Sequence, residues 1–173
     1  MSDLVRDTAI VRGSPDAVWS IIEDPAALAR VLPGAESIVA DGPGRFRGVL
    51  ATRIQFLTVR ADVVATFHDA DPLRHLRLVI EGRPRGLAGS FAVSVPFDLA
   101  PLPAPADAGA ADAPAAEATE IRYAVDLQVT GRLATFGAPL LRDTLRRQIA
   151  ALVANVDREL AIRAPGRPGM TEA

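Results

Sequence analysis

From Arg45 to Val129 apolar and polar residues alternate with a period of two. In the first run Phe46, Gly48, Leu50, Thr52 and Ile54 fall on one side, with Arg45, Arg47 and Arg53 on the other. The next run, Phe56–His68, sets Val59, Ala61, Val63, Ala65 and Phe67 against Arg60, Asp62 and Thr66. Leu76, Leu78 and Ile80 then alternate with Arg77, Val79 and Glu81. Phe91, Val93, Val95, Phe97 and Leu99 oppose Ala92, Ser94, Pro96 and Asp98. In the last run Ile121, Tyr123, Val125, Leu127 and Val129 face inward and Arg122, Asp126 and Gln128 outward. This spacing predicts antiparallel strands with one buried and one solvated face. Turns are expected at Asp41–Gly44, Asp69–Pro72 and Gly82–Gly89. Leu4–Arg12 and Ser37–Asp41 read as two further strands. Pro96 cannot donate to a ladder, which predicts an edge position or a bulge.

Two stretches break the period. In Ser14–Gly34, Ser14 suits an N-cap and Pro15 the first helical position. Ala17, Val18, Ile21 and Ile22 form a short apolar stripe with Trp19 at its edge. Asp24-Pro25 interrupts that helix, a second helical turn follows, and Pro33-Gly34 stops it. From about Gly137 to Arg163 the apolar positions Leu141, Leu145, Ile149, Leu152, Val156 and Leu160 recur at helical spacing. The expected fold class is therefore α+β. A curved antiparallel sheet of six to seven strands wraps a long C-terminal helix, and two short helices follow the first strand. That arrangement leaves a cavity between sheet and helix.

Length and composition narrow the picture. At 173 residues a single domain is expected over 1–163, with a disordered tail at 164–173. Pro101–Ala118, built almost wholly of Ala, Pro, Asp and Gly, is expected to be a flexible surface insertion. Aromatic residues make up only 5% of the chain, so few large rings are at hand to fill a core. There is no cysteine, and all 19 basic residues are arginine. Thiolate metal sites, cysteine nucleophiles, Schiff bases and P-loop lysines are thereby excluded. A net charge of −2 with mixed signs argues against a nucleic-acid partner. Asp3, Arg6, Asp7 and Arg12 within the first 13 residues argue against a signal peptide, so a cytoplasmic location is expected.

Catalytic chemistry finds little support in the residues. His68 and His75 flank a turn carrying Asp69 and Asp71, a cluster that reads as turn chemistry rather than a metal centre. Tyr123 and Asp126 point to opposite faces of one strand and cannot act as an acid/base pair. Ser14, Ser37, Ser90 and Ser94 have no histidine at a hydrolase spacing. Gly86–Gly89 and Gly131–Gly137 lack the strand–loop–helix context of nucleotide loops. Arg142, Arg146 and Arg147 read as a solvated face of the long helix. No catalytic or metal-binding residue is expected.

Several motifs resemble one family. Pro15-Asp-Ala-Val-Trp19, Asp24-Pro25 with Leu28-Ala29, Leu32-Pro33-Gly34-Ala35-Glu36, Phe46-Arg-Gly48, Gly86-Leu-Ala-Gly89-Ser90 and Gly131-Arg-Leu-Ala-Thr-Phe-Gly137 occur in order. Together they resemble the CoxG group of carbon monoxide dehydrogenase subunits, within the START-like, helix-grip (SRPBCC) superfamily. The resemblance implies a non-catalytic accessory protein that binds a quinone or another lipophilic small molecule in the grip. It also implies partnership with a molybdenum hydroxylase and peripheral contact with the inner face of the cell membrane. No other cofactor is expected. Trp19, Phe46, Phe67, Leu78, Phe91, Val95, Tyr123, Leu141 and Leu145 are the expected ligand-binding residues. Two alternatives stay open: a polyketide cyclase or aromatase of the same superfamily, which needs a buried acid or base, and an interaction protein without a ligand.

Overall fold

The computed structural model describes residues 3–102 and 118–163. The expected insertion, save its ends, and the expected tail at 164–173 lie outside the described residues.

The chain runs β1 (Asp3–Val11), α1 (Pro15–Ile22), α2 (Pro25–Val31), β2 (Ala35–Ala40), β3 (Arg45–Ile54), β4 (Leu57–Asp71), β5 (His75–Pro84), β6 (Phe91–Leu102) and β7 (Ala118–Val129). A 3-10 helix, Gly131–Phe136, then leads into α3 (Ala138–Arg163). All seven strands form one antiparallel sheet in the order β1-β7-β6-β5-β4-β3-β2. The sheet does not close, so β1 and β2 are its edges. This is the expected α+β helix-grip architecture.

Local chemistry sets the helix ends. The Ser14 hydroxyl accepts from the Ala17 N–H, and the Asp24 carboxylate accepts from the Ala26 N–H. Proline occupies the first position of both α1 and α2, where no intrahelical N–H is needed. Gly34 ends this segment at φ +79°, and its carbonyl accepts from the Ala51 N–H on β3 at 2.8 Å. A Cβ at Gly34 would collide with the Ala51 carbonyl. The Leu32-Pro33-Gly34 stop is thus fixed to the sheet by backbone contact.

Three expectations about the strands are corrected. Pro96 lies on β6, an interior strand between β5 and β7. Its missing N–H is accommodated by a local gap: Val95 and Pro96 pair with β5 on one side, but the ladder to β7 resumes only at Phe97–Tyr123. β4 continues to Asp71, past the expected turn. A register shift between His68 and Asp71, with Asp69 at φ +54°, bends the strand there, and the turn itself falls at Pro72–Arg74. β5 likewise runs through Gly82 to Pro84 before the chain turns.

The apolar interior is solid at one end and hollow at the other. Val11, Val18, Trp19, Ile21, Ala27, Val31, Leu76, Leu99 and Leu160 form a closed core where α1, α2 and the C-terminal half of α3 meet the sheet. Leu152, Val153 and Val156 pack against it. Polar links lock this end: Asn155 donates to the Val31 carbonyl at 3.0 Å, and the Asp157 carboxylate accepts from the Arg12 N–H at 2.8 Å. The N-terminal half of α3 instead spans the sheet over open space.

Candidate ligand cavity

That space is a cavity of about 210 Å3. Leu141, Leu145, Ile149 and Leu152 of α3 form its roof. The floor comes from the inward positions of the strands, including Leu50, Thr52 and Ile54 of β3, Val59 and Ala61 of β4, and Leu127 and Val129 of β7. Period-two patterning put those side chains on one face, and the grip of α3 across the sheet turns that face into a container. Phe91 enters because its cross-strand neighbour is Gly82; the ring occupies the place where a Cβ would stand.

Among the described residues, three polar side chains line the cavity: Thr52, Thr144 and Gln148. Thr144 is spoken for, since its hydroxyl donates to the Leu140 carbonyl at 2.9 Å. The Thr52 hydroxyl and the Gln148 amide make no hydrogen bond among the described residues. Gln148 sits one turn after Thr144 on the cavity side of α3, so its amide can donate to or accept from a guest. Among the described residues, no acid, base or tyrosine lines the cavity. Sequence reasoning missed Thr52 and Gln148 as site residues. Thr52 was already on the inward face of β3; Gln148 was hidden because the helical stripe was traced through apolar residues alone.

A smaller void of about 40 Å3 lies beside it, lined by Phe46, Phe67, Leu78, Leu28, Ile38 and Val63 among others. The Phe46 and Phe67 rings meet edge to face with centroids 5.5 Å apart. Leu32, Leu50 and Ile80 line both spaces and form the partition between them. The exposed outer face of the sheet carries a wide, open groove of about 770 Å3, whose Arg45, Arg47, Asp62, Glu81 and Arg83 give it mixed charge.

The nine expected ligand-binding residues thus fall into three groups. Phe91, Leu141 and Leu145 line the larger cavity. Phe46, Phe67 and Leu78 line the smaller void. Trp19, Val95 and Tyr123 line neither. Trp19 belongs to the closed core, 8% exposed, with its indole Nε1 donating to Glu23 at 3.0 Å. Val95 pairs with Leu78 on the inward face of β6. Tyr123 stands opposite Asp7 of β1, toward the far end of β7 from Leu127 and Val129. Burial pushes its phenol up from the ordinary value, the Asp7 charge adds to this, and Arg146 opposes it. The two turn histidines have separate partners: His68 bonds Thr66 at 2.9 Å and His75 bonds Asp98 at 2.7 Å.

The family model for CoxG, a carbon monoxide dehydrogenase subunit, matches residues 9–161. No curated protein sequence matches the chain. Among solved structures, a conserved protein from Geobacillus kaustophilus superposes with a TM-score of 0.74 at 21% identity, covering 90% of this chain and 93% of that one. The Zhui aromatase/cyclase from Streptomyces sp. R1128 gives 0.60 at 16% identity over 94% and 96%. A START superfamily protein from Mycobacterium smegmatis gives 0.58 at 13% identity over 91% and 97%. At these identities the likeness is one of fold.

Proposed function

Because the chain belongs to the CoxG family of carbon monoxide dehydrogenase subunits, we propose that it is a non-catalytic accessory protein. It takes a neutral lipophilic molecule, a quinone by preference, into the cavity under α3, and serves a molybdenum hydroxylase of the carbon monoxide dehydrogenase type at the membrane. One observation carries this reading: the cavity is apolar throughout except for neutral hydrogen-bonding side chains, with Thr52 and Gln148 unengaged. An apolar guest gains by leaving water, and one or two fixed polar groups orient it. Buried carbonyl oxygens need a donor, which the Gln148 amide supplies. A carboxylate guest would meet no cation among the described residues of the lining.

Size sets a further limit. An apolar cavity of about 150 Å3 accepts a single benzene-sized ring. At about 210 Å3 the present cavity accepts a ring system with short substituents. A long isoprenoid tail must therefore extend past the partition or out of the grip. The cyclase reading, suggested by the aromatase/cyclase likeness, needs an acid or base beside the substrate, and the described residues of the lining offer none.

The test is solvent extraction of the purified protein followed by mass spectrometry, paired with titration of 1,4-naphthoquinone into the extracted protein. A co-purifying quinone or lipid, or saturable uptake of naphthoquinone, is the expected result. An empty protein that also takes up no naphthoquinone sinks the carrier reading. Capture of a molybdenum hydroxylase by such an empty protein would establish a pure interaction role in its place.

A further inference from the structure

The solvent face of the sheet carries an apolar line where the alternation places polar residues. Register sets Arg47, Val64 and Glu81 side by side on β3, β4 and β5. One row along, Val49 stands beside Asp62 and Asp62 beside Arg83. One row the other way, Arg45 stands beside Thr66 and Thr66 beside Val79. Val49, Val64 and Val79 therefore form a diagonal across three strands, and Pro96, beside Arg77, continues it on β6. All three valines are half-buried among their neighbours on the face turned away from α3.

Charge divides along the same diagonal. Arg45 and Arg47 lie on one flank, Asp62 and Glu81 on the other, with Arg83 behind them toward the β5–β6 loop. The ion pairs within the chain run sideways: Arg45 and Arg47 share Asp41 at 3.0 and 3.5 Å, and Asp62 holds Arg85 at 2.7 and 3.0 Å. The Arg47 and Asp62 side chains still expose 61% and 60% of their surface, open to a partner approaching from above.

Shape adds a second constraint. Wrapping α3 makes the outer face convex across the strands. The groove of about 770 Å3 nonetheless crosses it from Ser37 and Val39 on β2 to Gln128 on β7, so the face is concave along the strands. Two such saddles fit when their strands cross near a right angle, as in orthogonal sheet packing. A two-fold axis lying along a sheet diagonal generates that crossing. Along this diagonal it lays valine line on valine line and turns each basic flank onto the other copy's acidic flank.

We propose that the outer face of the sheet is a homodimer interface. Its two-fold axis runs along Val49, Val64 and Val79, and the flank with Arg45 and Arg47 meets the flank with Asp62 and Glu81 of the partner subunit. Strands β3–β7 each run ten residues or more. With β2 they offer a face of roughly 24 by 33 Å, at about 4.8 Å between strands and about 3.3 Å per residue. That is close to the ~800 Å2 per partner of a standard stable interface. A second copy suits the face better than an unrelated protein, because each flank finds its opposite charge on the identical surface. The cavity under α3 lies on the other side of the sheet, so both copies keep it free.

The experiment is sedimentation equilibrium of the full chain at micromolar concentrations. Twice the chain mass is expected, with dissociation favoured as salt is raised. Val64→Arg places two guanidinium groups face to face on the axis and should give a monomer with unchanged far-UV circular dichroism. Arg47→Glu and Asp62→Arg should each weaken the dimer about tenfold or more, and the variant carrying both should regain it, because opposite charges again face each other. Thermal unfolding of every variant separates lost assembly from lost fold. A wild-type chain that stays monomeric overturns the proposal, as does a dimer indifferent to Val64→Arg or a double variant no better than the single ones. A monomer that binds a different protein through Val64 overturns it too, and gives the face to a heterologous partner.

Discussion

Arg30 of α2 and Glu159 of α3 meet in a two-pronged ion pair, Nε to Oε1 at 3.1 Å and Nη2 to Oε2 at 2.7 Å. Glu159 is buried, and Arg163 reaches it from one turn further along at 3.0 Å while also donating to Asp24 at 2.8 Å. One carboxylate thereby ties the short helices to the end of α3, the fixed end from which the free half of the helix spans the cavity. The Arg30 hydrogen bond, reinforced by Arg163, lowers the Glu159 carboxyl from 4.5 to about 2 despite its burial.

A carboxyl held below its unfolded value contributes stability above that unfolded value and loses it as pH falls through the folded one. The Glu159 contribution should accordingly be full at neutral pH and decline between about pH 4.5 and about pH 2. Glu159→Gln should lower stability at pH 7 by about 1–3 kcal/mol, since both arginines keep access to water. The difference from wild type should shrink toward pH 2. Urea unfolding at pH 7 and pH 3 measures both. Equal pH dependence in the two proteins would show that other groups govern acid stability.

Gly34 and Gly44 separate backbone strain from collision. Both have positive φ, +79° and +61°, but a Cβ at Gly44 meets nothing closer than Phe67 at 3.9 Å, while one at Gly34 strikes the Ala51 carbonyl. Gly44→Ala should cost about 1 kcal/mol, the penalty of a left-handed conformation alone. Gly34→Ala should cost about 3 kcal/mol or more, because the Leu32-Pro33-Gly34 stop must lift from β3. Equilibrium unfolding of the two variants side by side is the check. Similar losses would mean that the Gly34–Ala51 approach relaxes easily.

Alternation along β3 to β7 reports directly which side chains face the helix, because the pleat fixes it, and Leu50, Ile54, Val59 and Leu127 lie where that period puts them. Pro33-Gly34 was legible as a stop. Its docking on Ala51 was not, since it depends on a strand that arrives later in the chain. Pro96 misled because its local rule concerns one missing donor, whereas the surrounding pairs hold β6 inside the sheet. Trp19 misled because helical position shows that a residue is buried and not whether it borders a core or a void. That distinction depends on how far α3 stands from the sheet, which no local pattern encodes.

The packing of Trp19 yields a clean separation of stability from binding. Trp19→Phe keeps most of the ring burial but loses the bond to Glu23 and leaves a small cavity in the core. It should destabilise the protein by about 1–2 kcal/mol. Naphthoquinone affinity should stay within twofold of wild type at a temperature where both are folded. A marked loss of affinity would place the indole at the site after all.

Gln148 gives the opposite case. Burying about 150 Å2 of ring surface contributes about 4 kcal/mol at 25 cal/mol per Å2. A hydrogen bond from Gln148 to a carbonyl adds about 1 kcal/mol. Loss of translational and rotational freedom offsets much of this gain, so a bare quinone ring should bind weakly and a prenylated one, which buries more surface, more tightly. Gln148→Leu removes a polar group with no partner among the described residues, so the protein should be as stable as wild type or more so. Affinity for naphthoquinone should fall about fivefold, and affinity for naphthalene, which has no carbonyl, should hold or rise. Titrating both compounds into both proteins resolves the two effects. A parallel loss for quinone and hydrocarbon would assign Gln148 to cavity shape instead of carbonyl recognition.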